Sequence, residues 1–175
     1  MKYSILEVMF EGESPKSVLE IGCANGGLLK DLEETFPGLK VGGIEITDDI
    51  KKAQELFPDQ ADNFIRQDLV EPWPLEDKSY DIVFSCGVLM YIWEAEKVMK
   101  EMFRVGKTVI MAEYHGLVEE QLSIVEGWGV GIQRNYVELL NKIGIEDCLI
   151  KEAYGKTLIK CQQKNEQYVY NSLYR

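Results

Sequence analysis

A doubly wound α/β sheet is the fold class that this 175-residue sequence predicts, on three observations. Short apolar, β-favouring runs alternate with amphipathic segments of helical period over most of the chain. The first such run, Ser17 to Ile21, enters a turn-forming cluster, Gly22-Cys23-Ala24-Asn25-Gly26-Gly27, without any spacer. Small or acidic residues also recur where the runs finish: Glu20, Gly22, Glu45, Asp68, Ser85 and Glu113. Strands alternating with helices build a largely parallel sheet covered on both faces, and such sheets place ligands beyond the carboxyl ends of their strands.

Residues 1–16 form a partly apolar lead-in, with Ile5, Leu6, Val8, Met9 and Phe10 compatible with a helical turn or two, either a packing segment or a flap over a ligand. After the first strand, Leu28, Leu29, Leu32 and Phe36 make a helical stripe opposite Lys30, Asp31, Glu33 and Glu34, stopped by Pro37-Gly38. Lys40 to Ile46 reads as the second strand and carries Glu45 near its end, nineteen residues beyond Gly26. Strand, glycine turn, helix, strand and terminal acid outline a mononucleotide-binding unit: backbone approaches the ligand at the glycines, and the acid can accept both hydrogen bonds of a ribose diol. The adenosine half of a cofactor is the natural occupant.

Asp48 is a candidate N-cap for a helix through Phe57. Asn63 to Arg66 reads as a third strand ending in Gln67-Asp68-Leu69, and Glu71 to Lys78 as a proline-punctuated loop. Tyr80 to Ser85 is a fourth strand broken by Cys86-Gly87, Leu89 to Phe103 an amphipathic helix, and Thr108 to Ala112 a fifth strand leading to Glu113-Tyr114-His115-Gly116. From Leu117 to Gly131 the pattern weakens, and alternate glycines around Trp128 predict a substrate-covering loop. Asn135 to Ile143 is helical, and Cys148 to Ala153 with Thr157 to Cys161 are two last strands meeting near Tyr154-Gly155. The tail, residues 163–175, is polar with tyrosines; it is either disordered or packed on a neighbouring copy, which would make a homodimer.

A formal charge of -11 argues against a nucleic-acid partner, because a phosphate backbone needs a basic face. No apolar run approaches the length of a membrane span, and the first residues lack the pattern of a secretion signal, so the expected location is cytoplasmic. The four cysteines, Cys23, Cys86, Cys148 and Cys161, form no C-x-x-C pair and are expected to be reduced; neither zinc spacing nor a histidine cluster points to a metal.

Taken together, these motifs resemble those of the class I S-adenosylmethionine-dependent methyltransferases over roughly residues 17–162. VLEIGCANGG is similar to the family's glycine motif and GIEIT to its acidic second strand. IRQDLVEPWPLEDKSYDIVFSCGVLMYI is similar to the family's third and fourth strands with the next helix, and VIMAEYHG to its fifth strand. The resemblance implies a seven-stranded sheet with an antiparallel last strand, and S-adenosyl-L-methionine as cofactor with S-adenosylhomocysteine as product. It implies that Glu20 and Gly22 lie near the methionine end and that Gly22, Cys23, Ala24, Asn25 and Gly26 pass against sugar and methionine. Glu45, followed by Ile46, would hold the ribose hydroxyls, Asp68 the adenine amino group with the Leu69 backbone N–H at the ring, and Ser85 and Cys86 the floor. Ala24 stands where the family often has a glycine. The lead-in is also short where relatives place substrate-covering helices, so the pocket is open or covered by another chain.

Methyl transfer from a sulfonium is an in-line displacement that needs alignment and exclusion of water more than a nucleophile. A hydroxyl acceptor would want a base, for which His115 is the first candidate, with Glu113, Tyr91 and Tyr114 behind it. Tyr91, Trp128 and Tyr136 are either an aromatic wall or ordinary packing. The run SCGVLMY lacks the Asn/Asp-Pro-Pro-aromatic signature of base methylation, and GIEIT, GVLMYI and AEYH resemble methylases found beside sugar-biosynthesis enzymes. The expected acceptor is therefore a small, hydroxylated or sugar-like molecule. Two other functions share the first motif: a non-catalytic cofactor-binding protein or partner subunit of a methyltransferase, and an NAD-dependent oxidoreductase, which leaves Asp68 without a role.

Overall fold

The computed structural model describes residues 5–114, 120–125 and 129–162. Its main sheet is made of Ser17–Ile21 (β1), Lys40–Glu45 (β2), Phe64–Arg66 (β3), Tyr80–Cys86 (β4), Gly106–Glu113 (β5), Cys148–Ala153 (β8) and Lys156–Gln162 (β9). Between β5 and β8 in sequence, Glu120–Val125 (β6) and Gly129–Arg134 (β7) form a separate two-stranded sheet. The seven strands lie in the order β3-β2-β1-β4-β5-β9-β8. β1 pairs in parallel with β2 on one side and β4 on the other, so strand order reverses at β1 and a crevice opens beyond its end. β9 runs antiparallel to both β5 and β8. The doubly wound, mostly parallel sheet with an antiparallel carboxyl-terminal hairpin is thus the architecture observed.

Side-chain alternation along the strands builds two cores. Leu19, Ile21, Val83, Val109 and Met111 face one side with Met99, Met102 and Phe103 of helix α4 (Ala95–Val105) and Tyr136 and Leu140 of α5 (Tyr136–Lys142). Val18, Ile82, Phe84, Ile110 and Ala112 face the other, against Leu29 and Leu32 of α2 (Gly27–Thr35) and Ile50 and Ala53 of α3 (Ile50–Leu56). Leu6 and Met9 of a short helix α1 (Ile5–Met9), together with Phe10, are buried on this second face, and the Phe10 ring meets Phe84 edge-on at 5.4 Å. Tyr136 therefore belongs to the core and not to an exposed aromatic wall.

Gly43 in β2 is fixed by packing. A Cβ there would lie 2.8 Å from Cys23 Cβ, with the thiol closer still and Phe64 at 3.2 Å. Gly43→Ala is expected to destabilise the protein by about 1–3 kcal/mol through overpacking, visible as a lowered urea midpoint at unchanged slope.

Four local expectations are corrected. The helix expected from Leu89 is interrupted: Leu89–Tyr91 form one 3₁₀ turn, Ile92 is extended, and α4 starts only at Ala95. The physical reason is Arg134, fully buried, whose guanidinium donates to Leu89 O at 2.9 Å and Trp93 O at 3.3 Å, helping to hold the chain off the helical path. The covering loop expected over Leu117–Gly131 contains instead the antiparallel hairpin of β6 and β7; its glycines blur a strand pattern without preventing a strand. Asp48 does not cap α3, which follows Asp49 without a side-chain cap; Asp48 pairs with Lys51 and Arg66. Finally, Cys148 and Cys161 are not reduced thiols but a disulfide, formed because they sit directly opposite each other on β8 and β9 with Cα atoms 4.3 Å apart. Cys23 and Cys86 are free.

Candidate active site

The site is built where β1 gives way to the glycine turn. Gly22 adopts φ +64, and a Cβ on it would lie 2.5 Å from a methyl of Val88, so the bare backbone is what lets the turn close against the segment after β4. Gly22 N and Cys23 N both donate to Ile44 O, at 2.7 and 3.3 Å, tying the turn to β2. Ala24, at the position where the motif often has glycine, takes φ +45, a conformation that disfavours a side chain. Its N–H donates to Glu45 Oε2 at 3.0 Å, and Glu45 Oε1 accepts from Thr47 N at 2.8 Å. The Glu45 carboxylate is therefore aimed at the glycine turn and anchored at both oxygens, with lone pairs to spare on each.

These residues line a cleft of about 840 Å³. Of the residues predicted from sequence for the cofactor, Glu20, Gly22, Cys23, Ala24, Asn25, Glu45, Ile46, Asp68, Leu69 and Cys86 are on its wall; Gly26 and Ser85 are not. Gly26 instead supports the turn from beneath, where a Cβ would meet Ala53 Cβ at 3.1 Å, and Ser85 is fully buried. Asp68 Oδ1 accepts from Val70 N at 3.1 Å, a local turn that presents the carboxylate at the mouth beside Leu69.

The candidate bases separate. Tyr91 is on the wall and 44% exposed. Glu113 is completely buried and off the wall; Oε1 accepts from Val88 N at 3.2 Å, so it supports the Val88 segment instead of facing an acceptor. Burial pushes its carboxyl above the ordinary range, opposed by the neighbouring Ser85 hydroxyl and the Val88 amide. His115 and Trp128 lie outside the described residues. Sequence reasoning missed Val88, Ile92, Trp93 and Glu94, which also line the cleft and become visible only once the helix is seen to break before Ala95.

Glu20 is the electrostatic oddity. It is 3% exposed, Oε2 has no hydrogen-bond partner among the described residues, and burial, then the charge of Glu45, raises its carboxyl to about 8. A buried acceptor left unsatisfied at the bottom of a cleft fits a cationic ligand group. Burial likewise raises the Cys86 thiol to about 11 and pushes Cys23 up, so neither is an activated nucleophile. Bare backbone at the turn, an anchored carboxylate over it, an acid at the far mouth and room for a nucleoside are what S-adenosylmethionine requires.

Comparison with known proteins agrees. The profile of a family described as a methyltransferase domain matches residues 19–108. Ajmaline N-methyltransferase of Rauvolfia serpentina is 24% identical over 156 residues, 77% of this chain and 53% of that protein. The chain spans about half or less of the curated relatives it matches, 37% of norajmaline N-methyltransferase from the same organism. Among solved structures, a Pyrococcus horikoshii protein superposes with a TM-score of 0.65 at 23% identity, covering 91% of this chain and 86% of that one. A Brevibacillus brevis O-methyltransferase in complex with S-adenosylhomocysteine shares the fold at 17% identity and TM-score 0.65, covering 83% of this chain and 53% of that one. With strand order, turn and cleft in agreement, this chain belongs to the S-adenosylmethionine-dependent methyltransferase family.

Proposed function

We propose that the protein transfers the methyl group of S-adenosylmethionine to a small-molecule acceptor. The observation that carries this reading is the Glu45 carboxylate, fixed by Ala24 N and Thr47 N over the glycine turn and sharing one cleft with Asp68. When bound, the cofactor supplies a methyl group on a positively charged sulfur. Glu45 holds the ribose hydroxyls, Asp68 with the Leu69 N–H holds the adenine edge, Glu20 faces the cationic methionine end, and Cys86 forms part of the floor. Val88, Tyr91, Ile92 and Trp93 line the part of the cleft after β4 and receive the acceptor. A largely apolar wall orients the acceptor and keeps water from the reacting atoms, which is most of what an in-line displacement asks of a protein.

A small acceptor is supported by the net charge of -11, which opposes nucleic acid, and by this wall, whose exposed aromatics suit a compact organic body. A hydroxylated acceptor fits the Tyr91 hydroxyl on the cleft wall, although the curated relatives are named as N-methyltransferases, so acceptor nitrogen is tested alongside oxygen. No helix among the described residues is long and apolar enough to cross a membrane.

The deciding experiment is calorimetric titration with S-adenosylhomocysteine and with NADH, followed by turnover on hydroxyl and amine acceptors. Saturable binding of the first and none of the second is expected. Comparable NADH binding would return the chain to dinucleotide chemistry; cofactor binding without turnover on any acceptor would favour a non-catalytic subunit.

A further inference from the structure

Lys156 opens β9 immediately after the turn Tyr154-Gly155, at the same end of the sheet as the cleft. Its neighbour Thr157 pairs with Glu113, the last residue of β5. The Lys156 ammonium occupies the space that a side chain on Gly87 would fill: a Cβ there would lie 2.5 Å from Nζ. Gly87 takes φ +71 and is on the cleft wall. The ammonium therefore lies directly against a glycine of the cleft wall, although Lys156 itself is not among the lining residues.

The ammonium makes no close ion pair. Its nearest recorded contact is the ring of Tyr114, 4.3 Å from Nζ to the centroid; among the described residues no carboxylate oxygen lies within 4.0 Å of it, and its charge acts from farther off on buried Glu113 and on Cys86 of the cleft wall. Several lysines elsewhere are paired with acids, as Lys97 is with Glu94 and Lys100 with Glu96, whereas Lys40 rests on the Tyr80 ring and Lys78 donates to backbone carbonyls. A half-buried ammonium against a ring face keeps N–H donors unspent. The cleft itself is one-sided in charge, with Glu20, Glu45, Asp68 and Glu94 on its wall and neither lysine nor arginine among the described lining residues. Three of those acids sit where a cationic cofactor needs them. An acceptor with a negative group meets acids along that wall, and the Lys156 ammonium against Gly87 offers it a charge of opposite sign.

We propose that Lys156 is a specificity-determining residue that receives an anionic group of the acceptor, a carboxylate or a phosphate, through the gap left by Gly87. The proposal rests on the methyltransferase reading and narrows the acceptor to an anion with an apolar body. An anion there gains charge-assisted hydrogen bonds at little rearrangement, and its position sets which end of the acceptor turns toward the methyl group.

The test titrates the protein saturated with S-adenosylhomocysteine with benzoate, phenyl phosphate, benzamide and benzylamine, followed by NMR. Benzoate or phenyl phosphate is expected to bind at least about tenfold more tightly than the amide or the amine, and Lys156→Gln to abolish that difference. Whichever of the two anions binds more tightly identifies the carboxylate or the phosphate. Gly87→Ala, which displaces the ammonium without removing it, is expected to weaken anion binding as well. Equal binding of benzamide, binding of no anion, or anion binding undiminished in Lys156→Gln would overturn the proposal. Failure of S-adenosylhomocysteine itself to bind would instead overturn the methyltransferase reading, so the two failures are distinct; retained S-adenosylhomocysteine affinity in the variants reports that they are folded.

Discussion

Glu45→Ala is expected to weaken S-adenosylhomocysteine by about 2–4 kcal/mol, the loss of charged hydrogen bonds plus the disorder of what they anchor. The carboxylate has two tasks in one position. On the proposed reading it faces the place for the ribose, and it holds Ala24 N at 3.0 Å and Thr47 N at 2.8 Å. The first of these matters because Ala24 is held at φ +45, where a residue with a side chain does not rest without support. Removing the anchor releases the turn, so affinity falls through lost contacts and lost preorganisation together. Glu45→Gln keeps an acceptor oxygen for only one of the two amides and should fall between wild type and alanine. Calorimetry gives the affinities, and a thermal unfolding curve checks that the variants remain folded. An unchanged dissociation constant for Glu45→Ala would remove the ribose from this position.

Much of the site could be read from the sequence because it is assembled from strand ends, and strand ends are local. Glu20, Glu45 and Asp68 sit at or just beyond a β-run, and a parallel sheet necessarily brings such ends together. Residues placed by tertiary contacts were harder to see. Val88 to Glu94 carries an amphipathic period, and no local signal says that Arg134, more than forty residues later, takes up the Leu89 and Trp93 carbonyls. Lys156 is a lone lysine in a strand until Gly87 is known to lie against it. The disulfide was closer to hand: two strands meeting at Tyr154-Gly155 place Cys148 opposite Cys161 by register alone. Spacing rules for cysteine pairs ignore register, and so the bond was missed. The hairpin β6-β7 was hidden by its glycines, which carry no side chain to mark a buried face.

Glu20 makes the second large prediction, a dependence on pH. Its folded carboxyl titrates near 8 against an ordinary value of 4.5, with burial the main cause and the Glu45 charge second. Between those values the folded protein keeps a proton that the unfolded chain has released, so stability falls as pH rises through the window and is level with respect to this group outside it. The full swing is on the order of several kcal/mol in the ligand-free protein. Glu20→Gln, which mimics the protonated form, is expected to remove that slope, leaving the variant more stable than wild type at pH 8 when unfolding is followed in urea. On the proposed reading ligand binding reverses the preference: the α-ammonium of S-adenosylhomocysteine, brought beside Oε2, which has no partner among the described residues, favours the charged carboxylate and expels its proton. S-adenosylhomocysteine binding at pH 7 should therefore release about one proton, read from calorimetry in two buffers of different ionisation enthalpy. Glu20→Gln should release none from this site and bind more weakly, because a neutral amide cannot answer the ligand's charge. If wild type and variant release protons equally, Glu20 does not face the cation, and the methionine end of the cleft lies elsewhere.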